Sequence, residues 1–266
     1  MPAPALPDDL PEKITEALGA ALVADVRTGR RGLVSYELHV RDGWPVRTLK
    51  VAPARDPFAV LAEVDRLEWI DRRLPCPKVL ASAQLDGGGH AVVLSLPPGT
   101  RADAPEHRTR ATRTVEYFAQ ALRFVHEIPV DNCPFSSRLD LRLRSIKRRM
   151  TIGQYDPATF TPPYNRYPIE RLYEMLQEMR PAEDDDVFTH GAFTLDCAVL
   201  DQTGVSGILN WGSAGVADRY VDLATAVRSI ATSLGPELIP TFFQWYGLPK
   251  PDPRKLDFYA LLAEFE

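Results

Sequence analysis

Along this chain, apolar residues first recur at every second position and later at every third or fourth, and the change of period falls close to residue 97. Leu33 to Val40 and Val46 to Ala52 alternate as strands, with Asp42-Gly43 between them as a hairpin turn. Asp56-Pro57 opens a helical stretch whose apolar face is Val60, Leu61, Val64, Leu67 and Trp69/Ile70. Lys78 to Ala83 and Ala91 to Leu96 read as two more strands, separated by Asp86-Gly87-Gly88-Gly89, and Pro97-Pro98-Gly99 then breaks the pattern as a hinge. Downstream the period is helical. Val115, Phe118, Ala119, Leu122 and Val125 form one buried stripe, stopped by Ile128-Pro129. Ser136/Ser137 are placed to cap a helix that runs through Met150, and Pro168 starts another with Ile169, Leu172, Leu176 and Met179 inward. Ala198 to Leu200 and Val205 to Leu209 read as a short hairpin around Asp201 to Gly204. Helices follow from Asp222, from Pro236 and from about Pro253. The pattern predicts an α+β chain of two lobes, a β-rich lobe over 1–96 and a helical lobe over 97–266, without internal repeats.

Composition narrows the function classes. With 266 residues the chain is long enough for two lobes, each with its own core. A net charge of −5 disfavours a general binder of nucleic acid or of anionic membranes. Cys76, Cys133 and Cys197 are odd in number and widely spaced, so they suggest neither a disulfide framework nor a zinc site. No apolar run approaches the ~18 residues of a membrane span, and Met1 to Asp9 lacks the basic-then-apolar order of a signal peptide. The expectation is a cytoplasmic protein with a small-molecule partner, no nucleic acid, no membrane and no bound metal or other cofactor. The oligomeric state is left open.

Two motifs raise the question of chemistry. His190-Gly191-Ala192-Phe193-Thr194-Leu195-Asp196-Cys197 resembles H-G-D-x-x-x-x-N, the catalytic loop of the aminoglycoside phosphotransferases, a small-molecule branch of the protein-kinase-like fold. Gly207-Ile208-Leu209-Asn210-Trp211-Gly212 resembles the family's hydrophobic strand followed by D-x-G. The resemblance spans nearly the whole chain and implies a bilobal protein-kinase-like fold. In that family the loop Asp orients and deprotonates the substrate hydroxyl, while the Asn and the second Asp hold magnesium. This chain has Ala192, Cys197 and Asn210 at those positions. A methyl group takes no proton, and a thiol is a poor ligand for a hard cation that prefers oxygen. Phosphoryl transfer relies on positioning and on metal ions that neutralise the phosphate oxygens, so the three replacements remove the protein groups nearest that step.

The resemblance assigns roles elsewhere too. Lys50, in Leu49-Lys50-Val51-Ala52-Pro53, matches the lysine that grips phosphates, and Glu63 matches its helix partner; the alternative is an interior ion pair that only holds helix to sheet. Gly29-Arg30-Arg31-Gly32 matches a phosphate loop, G-x-S-G in the family, and reads either as a solvated basic turn or as an anion clamp. Asp218-Arg219-Tyr220-Val221-Asp222-Leu223-Ala224 resembles the segment that braces the catalytic loop, and His126 resembles a structural turn histidine. Glu264 lies in a C-terminal stretch that lines the aminoglycoside site in the family. Arg138, Arg142, Arg144, Lys147, Arg148 and Arg149 read as a solvated basic face.

Three functions follow from these residues. The first is a tailoring enzyme that works on a secondary metabolite without ATP or metal, by dehydration, conjugate addition or cyclisation. Arg31, Lys50, His190 and Asn210 would stabilise an oxyanion there, and Arg30, Cys197, Asp196 and Glu264 would contact substrate. The second is a non-catalytic pseudokinase that binds a metabolite or a partner, with Cys197 as an inert buried thiol. The third is a residual phosphotransferase with Asp196 as a displaced base.

Overall fold

The computed structural model describes residues 6–29, 32–39 and 45–266. The chain divides into two compact units, one of Met1–Ala102 with Asp196–Ser213, the other of Asp103–Leu195 with Ala214–Glu266. This division differs from a cut at residue 97 in two ways. The hinge tripeptide stays with the first unit, and the stretch from Asp196 returns to it.

The first unit is a five-stranded antiparallel sheet in the order β1-β2-β3-β5-β4, formed by β1 (Leu22–Thr28), β2 (Val34–His39), β3 (Pro45–Ala52), β4 (Val79–Gln84) and β5 (His90–Ser95). Strand alternation sorts its two faces. Leu49, Val51, Ala91 and Val93 join Ile14 and Leu18 of α1 (Glu12–Leu18) in one apolar cluster. Lys50 lies between Leu49 and Val51 and therefore points to the opposite face, where α2 (Phe58–Ile70) packs with Val60, Val64, Leu67 and Ile70 buried. The turn read at Asp42-Gly43 lies outside the described residues, but the strands on either side of it pair in register, Leu49 opposite Tyr36 and Lys50 opposite Ser35. Strand β1 has no counterpart in the periodicity, because it is an edge strand with most of its residues exposed.

A second, three-stranded sheet completes this unit: β6 (Thr100–Arg101), β8 (Ala198–Leu200) and β9 (Val205–Ile208). Pro97-Pro98-Gly99 runs tightly over it. A Cβ on Gly99 would lie 2.1 Å from the Leu200 carbonyl oxygen, and one on Gly207 would lie 2.1 Å from Pro97 Cγ.

The second unit is mostly helical: α3 (Ala111–His126), α4 (Leu139–Thr151), α5 (Ile169–Glu178), α6 (Tyr220–Ser233), α7 (Ile239–Tyr246) and α8 (Pro253–Glu264), with the two-stranded ribbon of β7 (Asp186–Thr189) and β10 (Gly215–Asp218). The stripe Val115, Phe118, Ala119, Leu122 and Val125 is buried throughout, and Phe118 stacks on Phe193 with centroids 4.6 Å apart and lies 6.0 Å from Phe242. One helix start differs from its expected cap. Arg138 stands at the N-cap of α4 with no side-chain cap bond, while Ser136 bridges to Val216 and the Ser137 amide donates to the Val216 carbonyl. Both serines are thus drawn into pairing with β10. Ile169, Leu172 and Leu176 of α5 are buried as the spacing requires, and Met179 caps the end. Among the described residues no helix is long and apolar enough to cross a membrane.

Gly99 has φ +117°, a region that side chains rarely adopt, in addition to its contact with Leu200. Gly99→Ala is expected to destabilise the chain by at least about 2 kcal/mol in urea unfolding, combining backbone strain with the clash. An unchanged midpoint would mean that this crossing is loosely held.

Candidate functional site

In the first unit the chemistry centres on Lys50. Its ammonium is nearly enclosed, with the residue 6 % exposed, and such a charge is tolerated inside a protein only if it is paired and hydrogen-bonded. Glu63 meets that need with both oxygens, Oε1 at 2.8 Å and Oε2 at 2.6 Å from Nζ. The third partner is Asn210, whose Oδ1 accepts from Nζ at 3.0 Å. Asn210 in turn donates through Nδ2 to Cys197 Sγ at 3.7 Å. Glu63, Lys50, Asn210 and Cys197 therefore form one chain of polar contacts in which the ammonium is neutralised by one carboxylate.

Local structure places each member. The Leu209 amide donates to the Cys197 carbonyl at 2.7 Å, extending the β8–β9 pairing to the residue before Asn210. Asn210 then takes φ +65°, a left-handed conformation that asparagine accepts more readily than most side chains. Trp211 is fully buried and donates from Nε1 to the Ile208 carbonyl at 2.7 Å, which fastens the turn from behind. A Cβ on Gly212 would be 3.6 Å from the Ala59 carbonyl oxygen, so the same turn rests against α2, the helix that carries Glu63.

This donor set does not suit magnesium. Cys197 offers a thiol and Asn210 an amide oxygen already accepting from Lys50, where magnesium calls for oxygen ligands that include at least one carboxylate. Among the described residues no group of three His, Cys, Asp or Glu side chains converges to hold a metal.

In the second unit the His190–Leu195 segment is fixed by a buried carboxylate. Asp222 accepts from the His190 amide at 2.7 Å and the Gly191 amide at 2.8 Å, and lies 3.0 Å from His126 Nε2. Thr225 Oγ1 donates to the Phe193 carbonyl at 3.1 Å, and Ser229 Oγ accepts from the Leu195 amide at 3.0 Å. Burial by itself would raise the Asp222 pKa. The hydrogen bond and charge of His126, with His190 behind them, outweigh it and hold the carboxyl below the ordinary aspartate value.

The expected site residues are thus distributed as follows. Lys50, Glu63, Asn210 and Cys197 come together, and Asp196 belongs to the same unit at intermediate exposure. His190 is 0 % exposed, its ring edge-on to Phe193 at 5.5 Å, and Ala192 presents its methyl group at an exposed position. Glu264 is not a free acid. It accepts from the Thr161 amide at 2.9 Å, Thr161 Oγ1 at 2.7 Å and Arg228 Nη1 at 2.5 Å. Arg30 and Arg31 lie outside the described residues. Arg219 and Tyr246, which contact the His126–Asp222 pair's network, carried no sequence signal of their own: an Arg in a bracing segment and a Tyr on an apolar helix look ordinary. The basic run of α4 is partly structural, since Arg142 pairs with Glu266, Arg149 donates to the Phe265 carbonyl and Arg138 pairs with Asp186.

The profile of the phosphotransferase enzyme family matches residues 26–259. This chain belongs to that family. It is 32 % identical over 256 residues to the aminoglycoside 3′-phosphotransferase of Niallia circulans, covering 96 % of this chain and 97 % of the relative. It is 33 % identical over 222 residues to that of Streptomyces fradiae, covering 80 % and 82 %. Among solved structures, an aminoglycoside-3′-phosphotransferase of type VIII superposes with a TM-score of 0.81 at 28 % identity, covering 93 % of this chain and 94 % of that one. The aminoglycoside phosphotransferase of Streptomyces rimosus gives a TM-score of 0.77 at 26 % identity over 91 % and 92 %. The phosphotransferase fold, an α+β kinase-like architecture, is therefore retained along nearly the full length.

Two outcomes test this description. Lys50→Met leaves Glu63 buried without its partner and is expected to cost about 3–5 kcal/mol, whereas Lys50→Met with Glu63→Leu should recover most of that loss. A double-mutant cycle from urea unfolding measures the difference, and additive losses would mean that the pair is not coupled. For Asp222, whose folded pKa is depressed, the contribution to stability is complete above the unfolded aspartate value near ~3.9 and is lost as pH falls through the folded pKa. Asp222→Asn should therefore be less stable at neutral pH, and its stability should fall less steeply than that of the parent below about pH 4. Parallel acid limbs for the two proteins would count against the assignment.

Proposed function

We propose that this member of the phosphotransferase family has given up phosphoryl transfer and acts by binding a small-molecule metabolite. The observation that carries the reading is the closed chain Glu63–Lys50–Asn210–Cys197. At the positions that the resemblance assigns to both magnesium ligands, one side chain is bonded to the lysine and the other is a thiol. Ala192 adds a methyl group where the base would stand. Phosphoryl transfer draws its rate from positioned metal and charge, so a site with neither base nor carboxylate ligand is left with binding. The activity of the relatives, aminoglycoside 3′-phosphotransferase, sets the expected ligand size: a compound large enough to need a concave pocket.

A tailoring reaction through oxyanion stabilisation draws less support. The charge of Lys50 is spent on Glu63, the His190 side chain is buried, and Glu264 is held by Arg228 and Thr161. A residual phosphotransferase would need Asp196 to act as base without either metal ligand, and no geometry favours it.

The reading is tested by thermal melting and by an assay for transfer. MgATP is expected to give no stabilisation beyond that of ATP with chelator, where a functional nucleotide site at a hundredfold excess over its dissociation constant would add ~2.7 kcal/mol. Kanamycin-like compounds should not be phosphorylated. Magnesium-dependent stabilisation together with transfer to any hydroxyl would overturn the proposal, and chemical turnover of a bound metabolite without ATP would replace it with the tailoring enzyme.

A further inference from the structure

The second unit carries a cavity of about 290 Å³ that none of the residues discussed above as a nucleotide or metal site lines. Its wall is Arg123, His126 and Glu127 from the end of α3, Arg219, and Tyr246, Gly247 and Leu248 from the end of α7. Two guanidinium groups reach it. Among the described residues Arg123 pairs with Glu127, Nε to Oε1 at 2.8 Å, with both side chains about half exposed at 55 % and 51 %. Such an exposed pair is weak and opens readily toward a better acceptor. Arg219 is anchored from one side by Asp185, Nη2 to Oδ1 at 3.0 Å, and donates from Nη1 to the Tyr246 hydroxyl at 3.1 Å. Gly247 takes φ +93° at the end of α7, a left-handed conformation that glycine adopts readily, and Arg123 Nη1 lies 3.8 Å from where its Cβ would be, at ordinary contact distance.

The floor of the cavity is connected. The Tyr246 hydroxyl is 2.7 Å from His126 Nδ1, His126 Nε2 is 3.0 Å from Asp222, and Asp222 holds the His190 and Gly191 amides. Burial pushes the Tyr246 hydroxyl up to about 12 in spite of the pull of Arg219, so it keeps its proton at neutral pH. The Tyr246 hydroxyl thus joins Arg219 to His126 Nδ1, and His126 Nε2 continues the row to Asp222.

We propose that this cavity binds a small oxyanion between Arg123 and Arg219, and that occupancy is relayed through Tyr246, His126 and Asp222 to the backbone at His190–Gly191. An anion drawing on Arg219 stiffens the guanidinium that orients Tyr246, and each further bond in the row is short and buried, where hydrogen bonds polarise one another. Planar forks on two arginines recognise carboxylate or phosphate oxygens alike. Glu127 is the opposing charge: it repels the anion and competes for Arg123.

The probe is inorganic phosphate, titrated into the full-length ¹⁵N-labelled chain at constant ionic strength, with acetate as a second arm to separate phosphate from carboxylate ligands. Saturable shifts are expected at the Gly247 and Leu248 amides. Arg123→Gln should weaken binding about tenfold, the loss of one charge-assisted contact. Glu127→Gln should tighten it, by about threefold or more. These opposite signs at two half-exposed positions do not depend on damage to the fold. Amide exchange at His190 and Gly191 should slow on saturation in the parent, and should not respond in Tyr246→Phe, which keeps both arginines. No saturable binding of either anion, or equal affinity in the parent and both charge variants, would overturn the site; bound anion with unchanged exchange at His190 and Gly191 would overturn the relay. Every measured residue here belongs to the second unit, so failure would leave the reading of the Lys50 chain untouched, and the reverse holds as well.

Discussion

An ammonium ion in a protein interior must be answered by acceptors, and the answer given to Lys50 organises the first unit. Glu63 supplies the compensating charge and ties α2 to the sheet. Asn210 supplies a neutral oxygen and brings the β9 turn to the same point. Were residue 210 a carboxylate, it would compete with Glu63 for one positive charge, and the pair of acids would call for a cation. As an amide it closes the row without that need. With an amide at 210 the arrangement is self-satisfied.

The second unit is built around an analogous need with the signs exchanged. Asp222 is a fully enclosed carboxylate, and it is kept ionised by two backbone amides and by His126. Asp222 stands on α6 and its partners lie on α3 and in the loop after β7, so one carboxylate joins three elements that are far apart in the chain. These hydrogen bonds serve folding whatever residue 192 is, so the loop with Ala192 at its centre is held in shape by the brace and not by the side chain it carries.

Much of the architecture was legible in the sequence. The strands β2 to β5 show as short apolar runs bounded by turn residues, and the stripe on α3 comes from its period, which survives in any environment that has one buried face. What escaped has physical causes. Strand β1 lies at a sheet edge and exposes most of its side chains, so it shows no alternation. The ribbon of β7 and β10 is only four residues long on each strand and mostly buried, too short for an alternation to mark it. The serines before α4 carry the chemistry of helix caps, but pairing with Val216 claims them first. Propensity was overridden there by a tertiary contact.

By itself the sequence determined the fold class and pointed to the Lys50–Glu63 pair, because each is written in local spacing or in a motif of fixed length. Only the tertiary structure decided what Asn210 and Cys197 bond to. Asn210 reaches Lys50 across 160 positions, Tyr246 reaches His126 across 120, and Thr161 reaches Glu264 across 103. No period or motif encodes such pairs. Whether a polar side chain is an open functional group or a satisfied one depends on which distant partner the fold delivers, and an interior of low polarity makes that delivery all-or-none: a partner within about 3 Å settles the group, and its lack is too costly to keep.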